Sequence, residues 1–524
     1  MAAPLLRILH SGVQNERLLC PKGQPDIDMF TKVFIRAGRF TTQWVRLDFD
    51  TIPNFNNTCT ITIPRKGHLL TRLLLVTTMP DIGTIQQQAK TYASSNGLTF
   101  YGPNFGWTNS IGHALIQEAS IEIGGSRIER LDGRLLEVLD EFYTPLEKQN
   151  STNKLIHRKQ NGFNYSSFGT GNILSNGENP SVVVTPLPFW FSCGDSGVAL
   201  PVDAIQADVI KLNVSFNPIN SLYVSSAYVP LPKTLPAGGD AYFPLSNAIF
   251  YSSVPVGSNP VKVYGLTGNP NVLTNVFPIP KIQMSNNFNL GQTYVMAEYI
   301  YLDKPEANKF RLADIKVPIV QHYPFDPVDS QNLNKINYKF SVPNPTRNLF
   351  FYLNHYDAIR YNAPFLATRD LSGTSTSTPW WPDASGLEDN QWLGIVRSAF
   401  STRYSEPLNH IDLEYEGKLL RYASDSPSFF RSILPSLEMR KSPWINKYYY
   451  ALMFGLQNGL IAPSLPSGEA NLDKMLNIEL HLTLHPNTGS INPNNVNRFF
   501  LYLWAETYNI LRIYGGRAGL LFAY

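Results

Sequence analysis

The 524-residue sequence is short of charge, of cysteine and of long apolar runs. Charged residues make up 16%, against about a quarter in ordinary soluble domains. The formal net charge of +3 is spread without a block of one sign. A chain that grips a nucleic-acid backbone usually shows such a block, so no direct sequence-specific contact with nucleic acid is expected. The three cysteines, Cys20, Cys59 and Cys193, have no paired spacing. That excludes a disulfide framework or a zinc knuckle and suits assembly in a reducing cytosol. The longest apolar stretch, Leu69–Met79, is broken by Arg72 and falls short of the ~18 residues a membrane-spanning helix needs. The opening MAAPLLRILHSG is too short, and too interrupted by Arg7, to read as a signal peptide. There is no GxxxxGK[ST] phosphate loop and no HExxH zinc motif, so no cofactor and no metal is expected.

What the chain does have is aromatic content and repetition. Phe, Tyr and Trp make up 12%, with 27 Tyr and 30 Phe, a profile of strand-rich folds and of surfaces that become interfaces. IEIGGSRIER (121–130) is echoed by LEYEGKLLRY (413–422), 292 residues later. In each, apolar and polar residues alternate into a two-residue break, Gly124-Gly125 or Glu416-Gly417, and a second run follows. Period-two alternation places one set of side chains on a buried face, and glycine reaches the positive φ of a tight turn, so each copy reads as a β-hairpin.

Three more pairs follow in the same order. Residues 60–76 match 338–353, each a strand, a proline-marked turn and a second strand. The alternating strand 209–218 matches 477–486, and 296–302 matches 504–511. Four colinear pairs indicate a duplicated domain. The halves differ in length. Glu122 to Glu298 spans 176 residues and Glu414 to Glu506 only 92, with most of the excess after Phe216 in a Pro-, Gly- and Ser-rich excursion.

The pattern resembles the major capsid protein of the nucleocytoplasmic large DNA viruses, from about Pro21 to Tyr524. The likeness is carried by PKGQPDIDMFTKVFIRAGRF (21–40), GHALIQEASIEIGGSRIERLDG (112–133), the segment 187–214, AEYIYLDKPEANKF (297–310), LPSGEAN (465–471) and TYNILRIYGGRAGLLF (507–522). It implies an all-β fold of two tandem eight-stranded antiparallel jelly rolls with long loop insertions and a few short helices. The expected divisions are an arm over 1–26, a first jelly roll over 27–312 and a second over 313–524. As implied by the resemblance, the chain forms a homotrimer whose six similar barrels make a pseudo-hexagonal capsomer. Capsomers tile an icosahedral virion shell in contact with one another, with minor capsid proteins and with an internal viral membrane, after assembly in the host cytoplasm. The alternatives are a double jelly-roll scaffold or minor capsid protein and, from another class, a jelly-roll glycan-binding or glycan-processing protein, since fold does not fix function.

Along the chain, 131–143 places Leu131, Leu135, Leu139 and Phe142 at helical spacing and predicts a short helix capping the barrel. Residues 80–111 and 146–185 read as polar or loop-like insertions, 304–314 as a linker helix, and 356–405 as the largest insertion of the second half. Within that insertion Trp380 and Trp381 form a candidate exposed contact loop for a partner subunit or receptor; packing on its own barrel is the plainer account. With Asp383 they are the one hint of a glycan platform. Of the sequons Asn56, Asn150, Asn164 and Asn213, the last sits in a strand, while Asn150 and Asn164 are candidate glycosylation sites in a loop.

Two constellations mimic chemistry. CGDSG (193–197) echoes the surroundings of a trypsin-like serine, but no histidine context suits Ser196, so no catalytic residue is expected. Glu479, His481 and His485 share the polar face of a strand. Residues four apart there are about 13 Å apart, too far for both histidines to hold one ion. Asp412, Glu414 and Glu416 share a hairpin face with no acid/base partner in view.

Overall fold

The computed structural model describes residues 40–80, 105–158, 182–192, 196–225, 289–356, 364–367, 406–416, 419–424, 426–444, 447–456, 467–485 and 498–522. The first half contributes β1 (Phe40–Asp48), β2 (Thr58–Thr62), β3 (Leu69–Thr78), β4 (Phe105–Trp107), β5 (Ile116–Ile123), β6 (Ser126–Leu131), β7 (Val182–Pro186), β8 (Ile210–Phe216), β9 (Tyr223–Ser225) and β10 (Thr293–Leu302). The second contributes β11 (Ile315–Pro324), β12 (Val328–Asp329), β13 (Lys335–Phe340), β14 (Thr346–His355), β15 (Leu408–Tyr415), β16 (Leu419–Ser424), β17 (Tyr449–Met453), β18 (Ile478–Leu484), β19 (Phe499–Tyr514) and β20 (Arg517–Leu520). Three helices matter below: α1 (Gly133–Tyr143), α2 (Leu146–Leu155) and α3 (Lys304–Leu312).

The strand order repeats. In the first half, one sheet runs β1-β10-β3-β7 and the other β2-β8-β5-β6; in the second, the orders are β11-β19-β14-β17 and β13-β18-β15-β16. Each repeat is therefore a double sheet built on eight antiparallel strands, and each of those eight has its counterpart in the other, while β12 and β20 add to β19 in the second half alone. The four repeats seen in the sequence fall on corresponding strands.

The alternation does what period two requires. Ile210, Leu212, Val214 and Phe216 on β8, and Ile478, Leu480, Leu482 and Leu484 on β18, are all buried, while their neighbours face outward. In the first hairpin Gly124 (φ 59) and Gly125 (φ 84) both take positive φ, the mirror-image turn that matches strand twist. In the second, Glu416 takes φ 55 without being glycine. Two small strands, β4 and β9, form their own antiparallel ribbon, so the regions around 105–107 and 223–225, expected to be loop, carry ladder structure.

The loop expected over 146–185 is corrected by the structure: α2 occupies Leu146–Leu155 and β7 occupies Val182–Pro186. Pro145 precedes α2, Glu147 lies in its first turn and Lys154 in its last, which suits the helix dipole. Only Gln149 of α2 is buried, so there was no apolar stripe to read. Asn150, expected in a loop, lies exposed on this helix. Asn164, Trp380, Trp381, the arm 1–26 and most of the excursions 217–290 and 356–405 lie outside the described residues.

Candidate functional site at the seam between the barrels

Strand β14 departs from alternation: all ten of its residues are buried. Its inner face fills the second barrel, and its outer face is covered by α1 of the first together with residues 364–367, whose Pro364 and Leu366 carbonyls accept from the Tyr352 hydroxyl at 2.7 Å and the Asn354 amide at 2.8 Å. Phe142 of α1 meets Phe350 with ring centroids 5.2 Å apart. The Arg134 guanidinium lies 4.3 Å from the centre of the Tyr502 ring. Asp132 works on both sides of the seam. Its Oδ1 accepts from the Leu135 N–H at 2.8 Å and caps α1, and its Oδ2 accepts from the Trp504 indole N–H at 2.7 Å. Helix formation in one barrel is thereby tied to packing against the other.

The polar side of α1 is buried too. Glu137, Asp140 and Glu141 recur at spacings of three and four, the signature of a solvated stripe. Instead they meet Arg158, which bonds Glu137 and Asp140 and lies 3.5 Å from Glu141. His113 Nδ1 sits 2.8 Å from Glu137. The second barrel sends two lysines: Lys447 Nζ donates to Glu137 Oε1 at 2.9 Å, and Lys441 Nζ lies 3.4 Å from Glu141. Three carboxylates thus face three permanent cations with almost no water. Burial alone pushes the Glu137 carboxyl up, but the charges of Arg158 and Lys447 outweigh it, and the group stays well below the usual carboxylate range. Burial lowers the Arg158 guanidinium, and the three carboxylates more than reverse this. Glu137 and Arg158 are both held in their charged forms.

A second cluster crosses the same seam. Glu129 of β6 faces His322 of β11, with Oε1 2.9 Å from Nδ1, and its Oε2 accepts from the Trp190 N–H at 3.0 Å. Glu506 of β19 lies 3.7 Å from the other ring nitrogen of His322 and accepts from the Tyr143 hydroxyl at 2.8 Å. Arg347 is 4.0 Å from Glu506, and the Asn348 amide also bonds it. Burial disfavours the imidazolium, but Glu129 and Glu506 hold His322 above its ordinary value. Glu129 is itself raised, chiefly by burial.

This seam was not among the sites expected from sequence. Helical spacing located α1, but its charged stripe reads as solvent-facing, because Arg158 lies beyond the next helix and Lys441 and Lys447 some three hundred residues on. The expected polar face of β18 is ordinary by comparison. His481 lies 3.0 Å from Glu414 and 2.9 Å from Asn337, and Lys339 pairs with Glu479 at 2.7 Å. The hairpin acids do have partners after all, since His410 lies 2.6 Å from Asp412. Among the described residues no group of three or more His, Cys, Asp or Glu side chains is arranged to hold a metal ion. No described helix is long and apolar enough to cross a membrane. Ser196 opens a short helical turn, Ser196–Val198, and residues 193–195 lie outside the described residues.

Two eight-stranded double sheets of one topology, fused by a short helix and locked side by side, define a double jelly-roll protein. Residues 28–250 match the family described as major capsid protein N-terminus, and residues 312–519 match the large eukaryotic DNA virus major capsid protein. The chain belongs to the major capsid protein family of the large DNA viruses, and its role is structural. It is 22% identical over its whole length to probable capsid protein 4 of Acanthamoeba polyphaga mimivirus, covering 99% of that protein. It is 23% identical to the major capsid protein of Phaeocystis pouchetii virus, with both chains covered in full. Among solved structures, PBCV-1 VP54 superposes with a TM-score of 0.65 at 17% identity, over 94% of this chain and all of that one. The Faustovirus major capsid protein gives a TM-score of 0.57 at 11% identity, over 94% and 93%.

Proposed function

We propose that the chain is a non-enzymatic building block that assembles as a homotrimer, three pairs of like barrels forming one pseudo-hexagonal capsomer of an icosahedral shell. The observation that carries this reading is the repeated strand order of the two barrels together with the buried seam that fixes their mutual angle. Two similar units tile as one lattice only if that angle is constant. A chain of buried ion pairs tolerates little sliding, because any shift strands a charge away from water.

In this reading the arm 1–26, a first barrel over 27–312 and a second over 313–524 are the working parts. Its partners are neighbouring capsomers, minor capsid proteins and an internal viral membrane, and it enters the virion after assembly in the host cytoplasm. Trp380 and Trp381 are proposed as a contact loop, and Asn150 and Asn164 as sugar acceptors. Negative-stain microscopy and light scattering of the purified full chain test the proposal. Hexagonal particles with the mass of three chains are expected. A stable monomer at micromolar concentration refutes it.

A further inference from the structure

The seam inside the chain has an open counterpart on its surface. In the second barrel, the outer face of β14, β17 and β19 lies under α1 and residues 364–367, where the Phe365 carbonyl accepts from the Tyr449 hydroxyl at 3.0 Å, and Phe350, Tyr449 and Trp504 there are no more than 2% exposed. The pairing registers map this face onto the first barrel. With Glu298 set against Glu506, Leu74 stands where Phe350 does and Met296 where Trp504 does. By the same count Tyr294 matches Tyr502, and Val184 matches Tyr449. These four first-barrel residues are only half-buried, and among the described residues no helix covers them. The edge of this face adds Trp44, 40% exposed, and Val182, 51% exposed.

The matching helix exists in the other barrel. Residues Phe429–Ile433 and Leu434–Glu438 form a continuous helical segment after β16, as α1 follows β6. Two of its apolar side chains, Ile433 and Leu437, are 50% and 66% exposed. They lie four residues apart and so share one face. Among the described residues, one barrel thus carries a covered sheet face and a helix with an exposed apolar pair, and the other carries a used helix and a sheet face of half-buried apolar residues beside the Arg72–Glu298 ion pair.

We propose that the helix 429–438 of one copy seats on the outer face of β3, β7 and β10 of a neighbouring copy, repeating between chains the contact α1 makes within one. The inference rests on the trimer reading and names the surfaces that would build it. Such a contact joins different patches on the two partners, so it propagates head to tail and closes where the rotation allows. With three chains, three such contacts alternate with three internal seams. The contact between chains is mainly apolar, whereas the internal one adds buried ion pairs to its aromatic packing.

The test uses the full chain with Cys20 and Cys193 replaced by serine and the buried Cys59 kept. Leu437→Cys and Val184→Cys are introduced together and singly, and the protein is oxidised and run on a non-reducing gel. A reductant-sensitive ladder of linked chains is expected for the pair and for neither single variant. A fast-migrating monomer, linked within one chain, would overturn the proposal. So would a linked dimer from Leu437→Cys alone, which would mean that the helices meet each other. In parallel, Leu437→Asp and Met296→Asp should each abolish the trimer in light scattering with the far-ultraviolet dichroism unchanged. If both remain trimeric and the cysteine pair does not link, this surface is wrong while the trimer stands. A monomeric unsubstituted chain would sink both readings.

Discussion

Replacing Lys447 by methionine removes the second barrel's charge from Glu137 while keeping most of the buried volume. The two groups are 2.9 Å apart, with side chains 5% and 0% exposed, so water cannot take over the vacated contact. Removing one partner of a buried ion pair costs about 3–5 kcal/mol. Glu137 keeps Arg158 and His113, which places the expected loss near the lower end, about 3 kcal/mol. For a unit of this size that corresponds to a fall in melting temperature of roughly 6–12 °C. Because Lys447 belongs to the second barrel and Glu137 to the first, the loss should fall on their coupling. Urea unfolding should broaden or split, with the barrels reporting separately. Adding Glu137→Gln removes the stranded carboxylate, and the double variant should recover at least about 1 kcal/mol relative to the sum of the singles. A Lys447→Met protein within about 0.5 kcal/mol of the parent, or strictly additive single effects, would refute the idea that this charge locks the barrels.

His322 is held above its ordinary value by Glu129 and Glu506, so its contribution to stability is complete below about pH 6.5 and lost as pH rises through the raised value. Glu129, raised by burial, pulls in the same direction, so the urea midpoint should fall from neutral toward alkaline pH, and His322→Gln should flatten that limb. An unchanged slope in the variant would count against the pair as its source. Glu137 and Asp140 are depressed instead, so the stability they contribute is present above the ordinary carboxylate range and should be lost as pH falls below about 4. Asp132→Ala should cost about 2–3 kcal/mol in the same unfolding assay, since it removes the cap of α1 and strands the Trp504 N–H. A loss of only a few tenths would show that water replaces both. Ser196→Ala should leave trimer formation and stability unchanged and remove no hydrolytic activity; loss of a peptidase activity would restore the serine motif as a site.

Duplication, strand periodicity and the two hairpins are local properties, and the sequence determined them. Alternation at 210–216 and 478–484 states which side chains turn inward, and the glycine pair at 124–125 states where the chain reverses. The helix at 133–143 was equally legible, since Leu135, Leu139 and Phe142 mark its apolar side. The helix α2 was not, because a surface helix with one buried residue carries no stripe. The fate of the charged side of α1 was settled only by tertiary structure. Glu137, Asp140 and Glu141 have the spacing of a solvated face, and nothing near them in the chain marks them as buried. Their counter-charges arrive from Arg158, Lys441 and Lys447, across a barrel boundary and some three hundred residues of chain in the case of the lysines. Local pattern records which residues share a face. What covers that face depends on long-range packing, which no short window of sequence contains.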